Sequence, residues 1–577
     1  MEEVKEFTWK VGGPAGFGIM STGYIFEKMF SRKGYYVADG KHYPSLIQGG
    51  HNTYTVRVSS EKIYSLKMPI DILIALDENS IKLHLDEVVP GGFVVYDSGI
   101  FKKKDFDYEK EDVNFISVPL DELAKKVGAP KIVRNNVALG VSVALLNYDF
   151  SMLKEIITEN FEPKGEKIVN FNIDAAKAGC DYIKEEYGDV PKIDIQPITA
   201  ESKLLMSGND GVYMGAIKAG CKFYAAYPMT PSSSLLHSFA SAELDFNIVT
   251  KHAESEIAVI NMAVGASFMG ARAMVGTSGG GFALMNEGLA AAAMTETPIV
   301  VVLGQRPAPA TGIPTYTEQG DMMYAVHAAH GEFPRVVMAP GDPSECFYMA
   351  GDALNLAEKY QIPVIILLDK FLAEHNFSSE GLDEDKIRID RTSFIDRNED
   401  IGGGRDYLRY KDTEDGVSPR VIVGLQDGVH LANTDEHDEY GFSEDSGKNR
   451  KKMMDKRFRK LRNLQKEVKG PNLYGPPDAD TTLISWGSCK IPILEALKDL
   501  NHGQGKANLI HFNYLMPFPK KRFVELMKNV NKGIVVENNK TSQLSKLIRE
   551  NTGIKIPDNI LKYEGRQFFP EEIIKKL

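Results

Sequence analysis

Residues 251–270 of the 577-residue chain, KHAESEIAVINMAVGASFMG, put two carboxylates, Glu254 and Glu256, at the head of an apolar run. An acid in the first turn of a helix is favoured by the helix dipole, so either can be a surface charge at a helix start. On a helix the two point about 200° apart, so at most one faces a core. Glu256 shares its side with Ile260, Ala263 and Ser267, which makes it the inward candidate. A buried acid is costly unless a neighbour takes its proton or its charge, so an inward Glu256 implies proton-sharing chemistry.

Three glycine- or proline-rich loops offer partners for such chemistry. TSGGGF (Thr277, Ser278, Gly279, Gly280, Gly281, Phe282) follows a strand-like run and opens a helical one, and its glycines let backbone approach a bound molecule closely. YAAYPMTPSSS carries Tyr227, Pro228 and Thr230 at the end of another strand, where parallel sheets bind ligands. Its serines also read as a helix N-cap. GGPAGFG, with Gly13, Gly16 and Gly18, sits between the strand-like EFTWKV and a helical run. It reads as a phosphate- or nucleotide-binding turn, as a dinucleotide site with Asp39 on the ribose, or as plain tight-turn geometry. GIPTYTEQGD (Gly312–Asp321) has no apolar period and is either a connection or a substrate lid.

The elements that must position these loops are α/β throughout. Residues 1–190 alternate strand- and helix-like runs, and 191–202 form a polar linker. Residues 203–376 repeat the pattern with CKFYAAYP, ARAMVGTS, PIVVVLG, PRVVMAP and PVIILLD as near-continuous apolar strands, the pattern of a buried parallel sheet. Residues 377–477 form a charged connecting arm with a glycine triplet at 402–404. Residues 478–577 return to α/β with TTLISWGS, ANLIHFNY and GIVVEN. The predicted class is multidomain α/β, since a chain of this length exceeds one core.

Net charge is −11, against a nucleic-acid footprint. The basic run Lys448–Arg462 is expected to be a solvated helix face or a subunit contact. Cys180, Cys221, Cys346 and Cys489 lie far apart with no C-x-x-C spacing, which argues against a self-contained zinc or iron–sulfur site and fits a reducing compartment. No signal-peptide pattern or membrane-span composition is visible, so a cytoplasmic protein is expected.

Taken together and in this order, the motifs resemble the α subunit of a 2-oxoacid:ferredoxin oxidoreductase fused behind its γ domain. YPMTPS, ESEIAVINMAVGASFMGARAM, TSGGGFALMNE, PTYTEQGDMM, HGEFPRVVMAPG, HDEYGFSEDSGKNRKKMMDKR and VVENN carry the match, with GGHNTYTVRVSS in the γ part. The resemblance implies a Rossmann-like γ domain over 1–190 and a thiamine diphosphate pyrimidine-binding domain over 203–376. It also implies a transketolase C-terminal-like domain over 478–577. The implied activity is oxidative decarboxylation of a 2-oxo acid (2-oxoglutarate, pyruvate or a broad range) to acyl-CoA and CO2, with electrons passing to ferredoxin.

The resemblance also distributes roles. Glu256 would hydrogen-bond the aminopyrimidine of thiamine diphosphate and Thr230 would act beside it at the substrate carboxylate, making these two the catalytic candidates. Thr277, Ser278, Gly279, Gly280 and Gly281 would line the cofactor. Tyr227, Pro228, Arg306 and Tyr316 would belong to the substrate site, and the γ part would contribute to CoA binding. No G-D-G motif occurs in the chain. Mg²⁺, the pyrophosphate motif and a [4Fe–4S] cluster are therefore expected on a partner β subunit, within a heteromer.

Two positions depart from the family pattern. Tyr316 stands where many members carry Arg or Lys, and Gly280 replaces the proline of T-S-G-P-G. A phenol cannot form the bidentate ion pair of a cation, so Arg306 or a partner-chain cation is left to bind the carboxylate, or substrate preference has moved. The alternatives are a thiamine diphosphate decarboxylase or transketolase-like enzyme, and a non-catalytic assembly paralogue.

Overall fold

The computed structural model describes residues 4–46, 49–100, 108–128, 133–190, 192–392, 394–397, 401, 407–502 and 506–577. The glycine triplet at 402–404 lies outside the described residues. The chain divides into two compact units, one of Met1–Met206 with His375–Gly381 and Phe569–Lys575, the other of Ser207–Glu374, Leu382–Phe568 and Lys576–Leu577.

In the first unit, EFTWKVGGPA forms a single long strand, β1 (Glu6–Ala15), followed by β2 (Tyr36–His42), β3 (Gly49–Ser59), β4 (Ile70–Ala75), β5 (Val88–Asp97), β6 (Asn114–Val118) and β7 (Leu204–Met206). The sheet order is β6-β5-β4-β1-β3-β2, then the short strand Phe377–Ser379, then β7. β1, β4, β5 and β6 run parallel, whereas β3 is antiparallel to both β1 and β2. The sheet buries its apolar side chains against the helix Ile19–Arg32, where Trp9 stacks on Phe26 with centroids 4.3 Å apart.

This topology corrects the dinucleotide reading of Asp39. Between β1 and β2 lies β3, so the second strand is not the parallel neighbour that a ribose-binding acid needs. Asp39 is fully buried, accepts a hydrogen bond from the Tyr54 hydroxyl at 2.9 Å and pairs with Lys41.

In the second unit the five apolar runs all become strands. These are β8 (Phe223–Ala226), β10 (Ala273–Ser278), β11 (Ile299–Gln305), β12 (Val336–Met338) and β13 (Pro363–Asp369), with β9 (Val249–His252) added. They form a parallel sheet in the order β12-β13-β11-β10-β8-β9, to which Tyr514–Met516 adds antiparallel beside β12. Every residue of β10, β11 and β13 is buried, as expected of a sheet covered on both faces. A second sheet, centred on Thr481–Trp486, pairs that strand in parallel with Ala507–Phe512 and Lys532–Glu537. The two sheets share one hydrophobic core, in which Val301 and Ile365 belong to the same cluster as Trp486, Phe512 and Val535.

The charged segment after residue 381 is held to this unit by buried ion pairs. Glu358 receives Arg272, Arg391 and Arg420 at 2.7–2.8 Å, and Glu296 receives Lys456 and Lys460 at 2.6 and 2.5 Å. The basic run is therefore not wholly a solvated face. On the helix Gly447–Arg459 and just beyond it, Lys456, Arg457 and Lys460 turn inward, while Lys448, Lys451 and Lys452 stay exposed. The sequence pattern hid this because the inward partner, Glu296, lies in another block.

Candidate active site

The candidate residues lie in segments that follow the parallel strands β8, β9, β10 and β11. The helix Glu256–Phe268 begins immediately after β9, capped by Ser255, whose hydroxyl accepts the Ala258 N–H. Glu254 is exposed and lies before the helix, so it is not the cap. Glu256 is 3% exposed, on the same buried side as Ile260, Ala263 and Ser267. Its Oε1 has no hydrogen-bond partner among the described residues.

Opposite this carboxylate stands the end of β10. A β-carbon on Gly281 would fall 2.3 Å from Glu256 Oε1 and 2.2 Å from Thr277 Oγ1, so only glycine fits between the two side chains. Ser278 occupies the N-cap position of the helix Gly279–Leu284, yet its hydroxyl makes no cap bond; it is buried and unpartnered. Gln305 at the end of β11 is likewise buried with Nε2 unpartnered, while its Oε1 accepts the Asp321 N–H at 3.0 Å. Buried polar atoms are normally satisfied, so orphans gathered at one end of a sheet mark a place shaped for a ligand. Gly280 faces open space.

Arg306 reaches from the end of β11 to the loop after β8, where its Nη1 donates to the Thr230 carbonyl at 3.0 Å. That loop is also fixed from below, since Asn209 Nδ2 donates to the Pro231 carbonyl at 2.8 Å. Tyr227 stands 39% exposed, edge-on to His252, with Pro228 exposed beside it.

GIPTYTEQGD is neither a loose connection nor a free lid. Thr315, Thr317 and Gln319 alternate inward and are buried. Gln319 is held from four directions: its N–H donates to the Asn538 carbonyl, its carbonyl accepts from Asn539 Nδ2, its Nε2 donates to Asp369, and its Oε1 accepts the Asn538 N–H. At the end of the segment, Asp321 comes against Gly279, where a β-carbon would lie 2.7 Å from Oδ2. Burial pushes the Asp321 carboxyl up to about 6, a rise that nearby Arg306 opposes.

The structure thus gathers Glu256, Thr277, Ser278, Gly279 and Gly281 at one end of the sheet, and links Thr230 to Arg306. In the first unit Gly13 lies inside β1, where added bulk would meet Leu76 and Ile19, so the turn proper is confined to Gly16–Gly18. Gly18 caps the helix Ile19–Arg32 in the left-handed region, with φ 73°. The sequence does not single out Gln305, Gln319 and Asp321, because a lone polar residue at a strand end or in a polar loop carries no periodic signal. Among the described residues, no group of three His, Cys, Asp or Glu side chains is placed to hold a metal ion, and no helix is long and apolar enough to cross a membrane.

A family model described as "Pyruvate flavodoxin/ferredoxin oxidoreductase, thiamine diP-bdg" matches residues 214–456. The 2-oxoacid:ferredoxin oxidoreductase 2, subunit alpha, of Aeropyrum pernix is 35% identical, with 98% of this chain and 96% of the relative covered. The chain belongs to the 2-oxoacid:ferredoxin oxidoreductase α-subunit family. A second family model, "Pyruvate ferredoxin/flavodoxin oxidoreductase", matches residues 8–182, ahead of the first. Among further relatives, the 2-oxoglutarate oxidoreductase subunit KorA of Mycobacterium tuberculosis is 27% identical over 98% of this chain and 90% of its own. A solved 2-oxoglutarate:ferredoxin oxidoreductase from Magnetococcus marinus, with 2-oxoglutarate, coenzyme A and succinyl-CoA bound, is 34% identical. It superposes with a TM-score of 0.91, covering 100% of this chain and 99% of its own.

Proposed function

We propose that this chain is the γα subunit of an enzyme that oxidatively decarboxylates a 2-oxo acid to acyl-CoA and CO2, passing the electrons to ferredoxin. The observation that carries the reading is Glu256 Oε1, buried and unpartnered against Gly281 and Thr277. A lone carboxylate in that setting fits an aminopyrimidine, which offers it a ring nitrogen with which to share a proton. Thiamine diphosphate, when bound, would supply the nucleophilic carbon that attacks the 2-oxo group and accepts the electrons released with CO2.

The chain's own residues then have distinct tasks. Glu256 holds the proton at Oε1, and Gly281 keeps the space between that carboxylate and Thr277 open. Thr277, Ser278 and Gly279–Gly281 line the cofactor, with Ser278 Oγ and Gln305 Nε2 as uncommitted polar atoms. Thr230, Tyr227 and Pro228 face the substrate, whose carboxylate pairs with Arg306. Mg²⁺, the pyrophosphate contacts and a [4Fe–4S] cluster belong to a β subunit, and the Gly16–Gly18 turn with Gly13 behind it contributes to CoA binding. What supports the CoA and 2-oxo acid assignments is the ligand set of the Magnetococcus marinus relative.

The test is Glu256→Gln in the co-purified complex. Turnover with CoA, a 2-oxo acid and ferredoxin should fall by roughly 10²–10⁴, the range for losing an acid–base group. Subunit assembly, followed by size-exclusion chromatography, should not change. Near-wild-type turnover would overturn the reading, and CoA-independent turnover of the wild-type complex would point to a decarboxylase instead.

A further inference from the structure

The place where the family pattern puts Arg or Lys is held here by Tyr316, but a cation stands on it all the same. The guanidinium carbon of Arg566 lies 3.8 Å from the centre of the Tyr316 ring. Arg566 comes from the far end of the chain, just after the strand Asp558–Leu561, and its position is fixed at several points. Asn538 Nδ2 donates to the carbonyls of Lys562 and Arg566 at 3.0 and 2.9 Å, and the Gly565 carbonyl accepts the Thr317 N–H at 3.3 Å. A β-carbon on Gly565 would come 3.3 Å from Tyr316 and 3.5 Å from Pro307, so this segment also abuts the residue that follows Arg306.

Both guanidinium groups hydrogen-bond backbone carbonyls, Arg566 that of the neighbouring Gly565 and Arg306 that of Thr230, and Arg306 also feels the nearby Asp321 carboxylate. Among the described residues no carboxylate forms a salt bridge with either. A guanidinium held over a phenol ring by its carbon can still present N–H groups at its edge, the groups with which it takes a carboxylate bidentately. The lost cation of the 312–321 segment is thus replaced by one from a different element, with the phenol as its platform.

We propose that Arg566, held on Tyr316, binds the carboxylate distal to the 2-oxo group, so that the substrate is a dicarboxylic 2-oxo acid. The proposal rests on the function above and assigns a specificity residue to it. Tyr316 acts through Arg566 and is a positioning residue.

The experiment uses the intact complex and compares 2-oxoglutarate with 2-oxobutyrate. Wild type should favour 2-oxoglutarate. Arg566→Gln should lower the ratio of the two kcat/KM values about tenfold or more, as expected for losing a charged hydrogen-bond pair. Arg566→Lys should recover part of that ratio. Tyr316→Leu, which keeps the charge but removes its platform, should raise KM for 2-oxoglutarate while largely keeping kcat. If Arg566→Gln leaves the ratio unchanged, or lowers both substrates equally, Arg566 only braces the loop and the proposal fails while the function stands. A wild-type preference for 2-oxobutyrate has the same consequence. No oxidation of any 2-oxo acid by the wild-type complex would overturn the function itself, and the proposal with it.

Discussion

At the residue scale, the pocket around Glu256 is defined as much by a missing side chain as by those present. Gly281 is hemmed in by two oxygens, Glu256 Oε1 and Thr277 Oγ1, both too close for a β-carbon. Gly281→Ala must therefore displace both. The Thr277 hydroxyl, in a fully buried strand, has little room to turn, so the unpartnered Glu256 carboxylate takes the larger displacement. We expect turnover to fall by about a hundredfold, the scale of loss for an ångström-sized misplacement, with circular dichroism and melting temperature little altered. A variant with full activity would show that the carboxylate needs no fixed position. Sequence alone could limit the inward acid to one of Glu254 and Glu256 by helical spacing. It could not reveal that Gly281 is the counterpart, because the contact joins two elements and leaves no periodic trace.

The elements show where local pattern is sufficient and where it fails. Continuous runs such as PIVVVLG and PVIILLD identify buried parallel strands directly, because both faces of such a strand are apolar. EFTWKVGGPA is harder: its glycines read as a turn, yet pairing with β3 carries the strand through Gly12, Gly13 and Pro14 to Ala15. Pairing partners far along the chain override local preference there. The helix Gly447–Arg459 fails in the opposite way, since its lysines resemble a solvated face until Glu296 is found beneath them. Burial alone would raise the Glu296 carboxyl, but Lys456 and Lys460 outweigh it and hold it well below the usual carboxylate range. Burial in turn pushes the Lys456 ammonium down to about 8. Glu296→Ala leaves two buried cations without a counter-charge. A loss of about 3–5 kcal/mol is expected in urea unfolding of the chain. A loss under about 1 kcal/mol would mean that water reaches the lysines. Because the Glu296 pKa is depressed on folding, this contribution is present above the ordinary carboxylate range and declines as pH falls below it.

For the molecule as a whole, the sequence pattern divides 203–376 from 478–577, whereas packing places both in one contact unit with a common core. Trp486 and Phe512 lie in the same cluster as Val301 and Ile365, and Tyr514–Met516 pairs with β12. A chain ending at residue 477 would expose the core face of β12 and β13 to water. It is expected to lose cooperative thermal unfolding of the second unit and to be cut rapidly by protease. Recovery of a soluble, cooperatively melting fragment would show that 207–477 folds without its last hundred residues. Block boundaries were legible from composition because the charged stretch separates two apolar ones. The shared core was not, because side chains that meet in it come from runs that each look complete.

One consequence follows for the exchange of substrate preference between relatives. The segment 312–321 is fastened to Asn538, Asn539 and Gly565 through its own backbone and through Gln319. These stretches are far apart along the gene but are machined to a single tolerance. Transplanting 312–321 alone into another member would seat a key in a lock cut for a different blade, whereas moving it together with 536–541 and 562–567 carries both halves of the fit. Recombination within such a lineage is thereby constrained, and changes in diet should arrive as paired substitutions at the two ends of the α part.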